Sequence, residues 1–388
     1  MIVDPINTIN LRGFTLRELE ELVVSEGEPK FRARQLYEWL YRKEADTFES
    51  MTTLSKSFRE KLATIAHIDS IKLVTESKSH SDGTTKYLFQ LNDDKRIESV
   101  LIPPTTAFAS ANAKAEEEQK RLTLCISTQV GCALDCVFCA TASMGIVRNL
   151  SAGEIIDQVI QAKRISGKKI TNLVYMGMGE PMMNYENVMN SIEIISTNMG
   201  IAAKRITVST AGWAPKIRQM ADENRKPKLA VSLHSLDDAT RSQLMPVNKK
   251  FPLAELLDSL HYYYKKTKQR VTFEYILFDG INDTGQDIAR LARLSKSLPC
   301  KVNIIPFHNI SFAVPAESAV KLSPTPRVRM EEFVARLREA HVTVFVRSSA
   351  GEDIDAACGQ LAVRIERGRS MTKRSTVRRH QKAELSIA

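Results

Sequence analysis

The chain has 388 residues, 43% of them apolar, and a formal charge of +10. That is enough apolar side chain for one large core with additions, and too much for a disordered or fibrous protein. Six cysteines in a chain this long, clustered rather than spread, do not make a disulfide framework. No stretch approaches the roughly 18 uninterrupted apolar residues of a membrane span. The start Met1-Ile-Val-Asp4 lacks the basic and apolar segments of a signal peptide. We therefore expect a soluble, cytoplasmic protein in a reducing compartment. The surplus of Lys and Arg fits either a polyanionic partner or a solvated basic face.

Residues 1–70 read as a small helical accessory domain. Thr15 and Glu18 have the spacing of a capping box ahead of Leu16, Leu19, Leu22 and Val23 at helical intervals. Lys30, Arg32, Arg34, Arg42 and Lys43 lie among Phe31, Tyr37, Trp39 and Tyr41. Such a mixture can dock folded RNA through phosphates and stacking; equally, Tyr37, Trp39 and Leu40 can be core with the charges exposed.

Residues 71–120 read as a β-hairpin and a linker. Tyr87–Leu91 and Ile97–Ile102 flank the turn-forming tetrad Asn92-Asp-Asp-Lys95. Glu98 falls inside the second apolar run, where a carboxylate is costly unless paired or used; on alternation alone it points to solvent. Residues 103–120 are poor in bulky apolar side chains and read as a surface loop.

Residues 121–363 alternate between strand and helix patterns. The strands are Asn172–Met176, Arg205–Thr210, Lys228–Leu233, Val271–Leu277, Val302–Ile305 and Val342–Val346, and Ser151 with Glu154 caps the first helix between them. This alternation means a parallel sheet, and about six repeats a complete or partial barrel. Chemistry in such barrels sits at the C-terminal strand ends. Gly177-Met-Gly-Glu180, Ser209 and Ser232-Leu-His234 fall there. Residues 364–388 read as a basic, flexible tail.

Four cysteines, Cys125, Cys132, Cys136 and Cys139, occupy one short stretch, the last three spaced C-x3-C-x2-C. Structural zinc usually draws on paired C-x2-C units, and adding Cys125 as a fourth ligand gives an unusual zinc spacing. Three thiolates on a 4Fe-4S cube leave one iron open to the amino and carboxylate groups of S-adenosylmethionine.

Further stretches carry a resemblance: Pro29-Lys-Phe-Arg-Ala-Arg-Gln-Leu36, Arg96-Ile-Glu-Ser-Val100, Met176-Gly-Met-Gly-Glu-Pro181, Pro246-Val-Asn-Lys-Lys250 and Asp353-Ile-Asp-Ala-Ala-Cys-Gly-Gln-Leu361. With the cysteine stretch and Ser232-Leu-His234, they resemble the radical S-adenosylmethionine superfamily and, within it, the RlmN/Cfr group of RNA adenine methyltransferases. The resemblance runs from about residue 10 to residue 363. It implies an α/β fold, a radical-SAM partial (β/α)6 barrel with a small helical N-terminal domain, a β-hairpin extension and a basic tail.

The activity implied is methylation of adenine C2 in 23S rRNA and in tRNA beside the anticodon. Carbon 2 lies between two ring nitrogens and is too electron-poor for ordinary methyl transfer. By the resemblance, Cys132, Cys136 and Cys139 hold a 4Fe-4S cluster, and two molecules of S-adenosylmethionine are used per turnover. Cys358 first takes a methyl group from one; a deoxyadenosyl radical from the other removes a hydrogen from it. The carbon radical adds to C2, Glu98 removes the C2 proton, and Cys125 attacks the Cys358 sulfur to release the RNA as a disulfide forms. Gly179, Glu180, Ser209, Ser232, Leu233 and His234 match the S-adenosylmethionine pocket. His308 stands where the family has Asn, with Asn309 one place later. Cys300 matches no role and is expected at a buried strand end. An electron donor such as flavodoxin or ferredoxin and a thiol reductant are implied, with the enzyme acting as a monomer and no membrane partner. The alternatives are the sister C8 methyltransferases, although Ser99–Pro103 and Asn303–Pro306 look more like the C2 type, and a nonenzymatic zinc-binding RNA module.

Overall fold

The computed structural model describes residues 8–68, 71–104, 121–310, 321–347 and 350–362. The expected tail at 364–388, most of the expected loop at 103–120, and Ser348 and Ser349 lie outside the described residues.

Helices come first, as the pattern requires. Strand β1 (Ile9–Asn10) pairs in parallel with β2 (Ala66–His67), enclosing α1 (Leu16–Ser25), α2 (Phe31–Tyr41) and α3 (Lys56–Ile65). The capping box forms: Thr15 N–H donates to Glu18 Oε2 at 2.7 Å and Glu18 N–H to Thr15 Oγ1 at 3.3 Å. Leu36, Leu40 and Tyr41 are buried, Tyr37 and Trp39 half-buried, and Phe31 exposed. Trp39 donates to Thr53 and lies under the Lys43 ammonium. Core and exposed charge thus coexist on α2.

The hairpin gains a third strand. β3 (Ile71–Lys78), β4 (Thr85–Leu91) and β5 (Arg96–Ile102) form an antiparallel meander. The barrel follows: β6 (Thr123–Cys125), β7 (Gln129–Gly131), β8 (Ile146–Asn149), α4 (Ala152–Ser166), β9 (Asn172–Tyr175), α5 (Tyr185–Asn198), β10 (Ile206–Thr210) and α6 (Ala214–Asp222). It continues with β11 (Lys228–Ser232), α7 (Asp238–Leu244), α8 (Leu253–Thr267), β12 (Val271–Leu277), α9 (Gly285–Ser297), β13 (Cys300–Pro306), α10 (Arg327–Glu339) and β14 (Val344–Val346).

One ten-stranded sheet runs β14-β13-β12-β11-β10-β9-β6-β5-β4-β3. From β14 to β6 all neighbours are parallel, and β5 joins β6 antiparallel with Val100 opposite Cys125. The six expected strands are all present. The six strand-helix units, however, begin at β6, and β14 follows them as a seventh parallel strand. Cys125 therefore ends a strand instead of sharing a loop with the other three cysteines. Every residue of β12 is buried, because helices cover one face and the barrel interior the other.

The helical part is fastened to the barrel at one tight junction. A Cβ on Gly153, at the start of α4, would stand 2.0 Å from the Arg12 carbonyl oxygen, so only glycine permits this approach. Arg12, 3% exposed, lies beside Asp157 with Nε 2.9 Å from Oδ1, although that N–H is not aimed at the carboxylate. Its Nη atoms donate to the Leu40 and Ala45 carbonyls.

Candidate active site: a thiol-lined cavity at the barrel mouth

The loop after β7 carries the three spaced cysteines. Gly131, at φ +79°, makes the turn into it, and a Cβ there would fall 1.8 Å from the Gly145 carbonyl oxygen. Cys132 N–H donates to that same oxygen at 3.0 Å, and Cys139 N–H to Cys136 O at 3.1 Å. Burial pushes the Cys132 thiol up to about 12, and the Cys139 thiol adds to it; Cys136 and Cys139 are raised chiefly by burial too, Cys136 further by the other two thiols. The three sulfurs thus lie within electrostatic reach of one another in a site that disfavours bare thiolates. Among the described residues no set of three or more His, Cys, Asp or Glu is gathered tightly enough for a single metal ion. Thiolates around a four-iron cube stand farther apart than around one ion, and three mutually repelling sulfurs are the donor set such a polycation neutralises. The residues present fit the cluster.

Cys125 and Cys358 meet beside this loop. A cavity of about 60 Å³ is lined by Cys125, Cys139, Cys358, Thr141 and Arg347, with Val100 from β5 among the apolar walls. Cys125 is buried, and burial followed by the neighbouring Cys358 raises its thiol to about 12; Cys358 itself is exposed. Both are free thiols. The segment bearing Cys358 is stitched to the cluster loop: Ala140 N–H donates to Gly359 O and Thr141 Oγ1 to Leu361 O, each at 2.7 Å. Arg347 lies one residue past β14, 3.4 Å from Glu274, and Cys358 is the largest influence holding its guanidinium charged.

Glu98 is buried on β5, not turned to solvent. Lys86 Nζ stands 3.4 Å from Oε1 and also donates to Asp355 O, three residues before Cys358; Oε2 has no hydrogen-bond partner. Burial raises its carboxyl above the usual range, against the pull of Lys86. It shares its sheet face with Val100, by strand alternation, but does not line the cavity itself.

The other expected site residues gather at the ends of β9 to β13. Gly179, at φ +97°, presses against Gln129, whose side chain accepts from Glu180 N–H at 2.8 Å. Glu180 is buried and already accepts from Met182 N–H at 3.0 Å and Ala211 N–H at 2.8 Å, tying the end of β9 to that of β10. Ser209 is buried within β10, and Ser232 ends β11. Leu233 N–H donates to Glu274 O at 3.0 Å. His234 adopts φ +53°, and its Nδ1 accepts from Ile276 N–H at 3.0 Å, which places the proton on Nε2. Burial lowers its pKa to about 3, so the ring is neutral. The histidine expected in the pocket is thus one whose Nδ1 is satisfied by backbone. His308 is buried beyond β13, with Nδ1 3.1 Å from Glu352 Oε1 and Nε2 unpartnered. Cys300 is buried at the first residue of β13, as expected.

Sequence reasoning did not single out Arg347, Lys86, Gln129 or Thr141. Only Arg347 carries a usable signal, a cation directly after the last barrel strand.

This sheet and cysteine loop are those of a radical S-adenosylmethionine enzyme. Residues 126–294 match the model of the radical SAM superfamily, and residues 9–68 that of the ribosomal RNA large subunit methyltransferase N-terminal domain. A radical SAM methyltransferase from Sphaerobacter thermophilus, known from its crystal structure, superposes with a TM-score of 0.79 at 41% identity, covering 91% of this chain and 98% of that one. A protein from Christiangramia forsetii named "probable dual-specificity RNA methyltransferase RlmN" is 42% identical over 91% of this chain and 96% of its own length. One of the same name from Caldanaerobacter subterraneus is 43% identical over 91% of this chain and 97% of its own length. The chain belongs to the RlmN family of RNA methyltransferases. That membership makes it an enzyme and overturns the alternative of a nonenzymatic zinc-binding module.

No described helix is long and apolar enough to cross a membrane.

Proposed function

We propose that the chain methylates adenine C2 in 23S rRNA and in tRNA beside the anticodon, with Cys358 carrying the methyl group. The observation that carries this reading is the single cavity shared by Cys125, Cys358 and the cluster-loop residue Cys139. Cys132, Cys136 and Cys139 hold the 4Fe-4S cluster, and Gly179, Glu180, Ser209, Ser232, Leu233, His234 and His308 form the S-adenosylmethionine pocket. Bound there, cluster and S-adenosylmethionine supply the methyl group and a hydrogen-abstracting radical, two S-adenosylmethionine molecules being used per turnover.

The protein's own residues divide the remaining work. Cys358, exposed on its loop, accepts the methyl as a nucleophile and presents it to the base, with Arg347 lining the same cavity. Glu98, buried with one oxygen free of partners, accepts the C2 proton, since a carboxyl raised by burial is the better base near neutral pH. Cys125, buried beneath Cys358, then attacks the Cys358 sulfur, so product leaves as the disulfide forms. Each turnover oxidises the thiol pair, so a thiol reductant is required, and a flavodoxin or ferredoxin supplies the electron. Residues 1–70 dock the RNA, with exposed Phe31 offering a ring for stacking among Lys30, Arg32 and Arg34. The protein works as a cytoplasmic monomer, with residues 71–120 as extension, 121–363 as barrel and 364–388 as tail.

The test is Cys125→Ala in the anaerobically reconstituted chain with an rRNA fragment. A covalent protein–RNA adduct is expected, and wild-type enzyme should yield a C2-methylated nucleoside by mass spectrometry. An active enzyme whose Cys125→Ala form releases free product removes Cys125 from its role; a C8-methylated nucleoside overturns the C2 assignment.

A further inference from the structure

Arg241, on the short helix α7, is fully buried. A guanidinium that deep ordinarily faces a carboxylate, because an isolated buried cation is costly. Here all four of its hydrogen bonds end on neutral oxygens: Nε on Leu233 O at 3.1 Å, Nη1 on Asn248 Oδ1 at 2.7 Å, and Nη2 on Ala211 O at 2.7 Å and Ser232 O at 3.1 Å. Asp238 acts on it electrostatically, and Asn248 lies between them, its Nδ2 donating to Asp238 Oδ1 at 2.8 Å. The charge is therefore left largely uncompensated by protein.

It lies against the cluster loop. Val137 N–H, between Cys136 and Cys139, donates at 3.1 Å to the carbonyl of Leu244, one turn along α7 from Arg241. Cys136, Ala211 and Leu244 pack in one apolar cluster. Cys136 is the first of the side chains that act on Arg241 electrostatically. A cation that neither water nor carboxylate screens keeps its field at short range. Three thiolates make an iron–sulfur cluster anionic, and reduction adds one more negative charge, so a nearby cation stabilises the reduced form more than the oxidised.

We infer that Arg241 is a positioning residue that serves as counter-charge to the cluster, raising its reduction potential while its fork ties together the ends of β10 and β11. The inference rests on Cys132, Cys136 and Cys139 being the cluster ligands, as proposed above. Neutralising the residue makes the cluster harder to reduce. Keeping the charge without the fork preserves the potential.

The experiment is an anaerobic redox titration of the reconstituted full-length chain, followed by electron paramagnetic resonance, after iron and sulfide per chain have been measured. Arg241→Gln is expected to cut the reduced-to-oxidised ratio at a fixed potential about tenfold, about 59 mV for a one-electron couple. Arg241→Lys should retain most of the wild-type value. Asp238→Asn keeps the acceptor for Asn248, removes the one partly compensating acid, and should shift the midpoint the other way. If Arg241→Gln takes up no cluster, the Lys and Asn variants decide. Equal downward shifts in Arg241→Gln and Arg241→Lys, or unmoved midpoints in Arg241→Gln or Asp238→Asn, overturn the inference. A wild-type chain that takes up no iron overturns the cluster assignment itself.

Discussion

Two seams hold this molecule together, and they are built from different materials. At the first, the helical N-terminal part meets α4 through the buried Arg12–Asp157 pair and the glycine contact between Arg12 O and Gly153. At the second, the Cys358 segment meets the cluster loop through neutral hydrogen bonds from Ala140 and Thr141, with Lys86 reaching Asp355 from the side. Buried charge and a close backbone approach allow one geometry only. A few neutral hydrogen bonds around an exposed cysteine can be exchanged for others at modest cost. In the function proposed above, Cys358 meets both a methyl donor and an RNA base, and a seam of the second kind suits that role.

Asp157→Ala tests the contrast at its strong end. It strands a buried guanidinium and should cost about 3–5 kcal/mol, read as a lower denaturation midpoint. A loss below about 1 kcal/mol would mean the first seam is no tighter than the second. Thr141→Val removes one bond of the second seam and should cost about 1 kcal/mol; proteolysis near Cys358 should rise while the far-ultraviolet circular dichroism stays fixed.

Glu98→Gln sharpens the role of Lys86 and Glu98 beside that seam. Burial raises the folded Glu98 carboxyl above its ordinary 4.5 despite Lys86. Its contribution is therefore full below that value and is lost as pH rises through the raised folded value. The stability of Glu98→Gln relative to wild type should improve across that window; a difference independent of pH would show that Glu98 titrates normally. At the weak end, Arg17 is 87% exposed in its side chain and pairs with Glu21. Arg17→Ala should leave the denaturation midpoint where it is in the wild type.

The barrel strands were legible because strands buried on both faces are dense in apolar β-branched and aromatic residues, as in Val271–Leu277, which only Thr272 and Glu274 interrupt. Capping boxes at Thr15 and Ser151 were legible because their chemistry is local. β3 was not: its residues Ile71–Lys78 are exposed almost throughout, so neither alternation nor an apolar run marks them. β6 and β7 have three residues each, too few for any period, and hid inside the cysteine stretch. The spacing of Cys132, Cys136 and Cys139 suggested a three-ligand set, whereas the meeting of Cys125 with Cys358 depends on residues more than two hundred positions apart and came from resemblance alone. Arg241 was invisible for another reason: which cations a fold buries is settled by tertiary packing, not by pattern.

The antiparallel pairing of β5 with β6 has a topological result. A strand has two edges, and β6 spends one on β9 and the other on β5. β14 can never close the ring against it. The first and last barrel strands are thus kept apart by connectivity alone, and the cavity of Cys125 and Cys358 lies where they fail to meet, with Val100 of β5 and Arg347 just past β14 both in its lining.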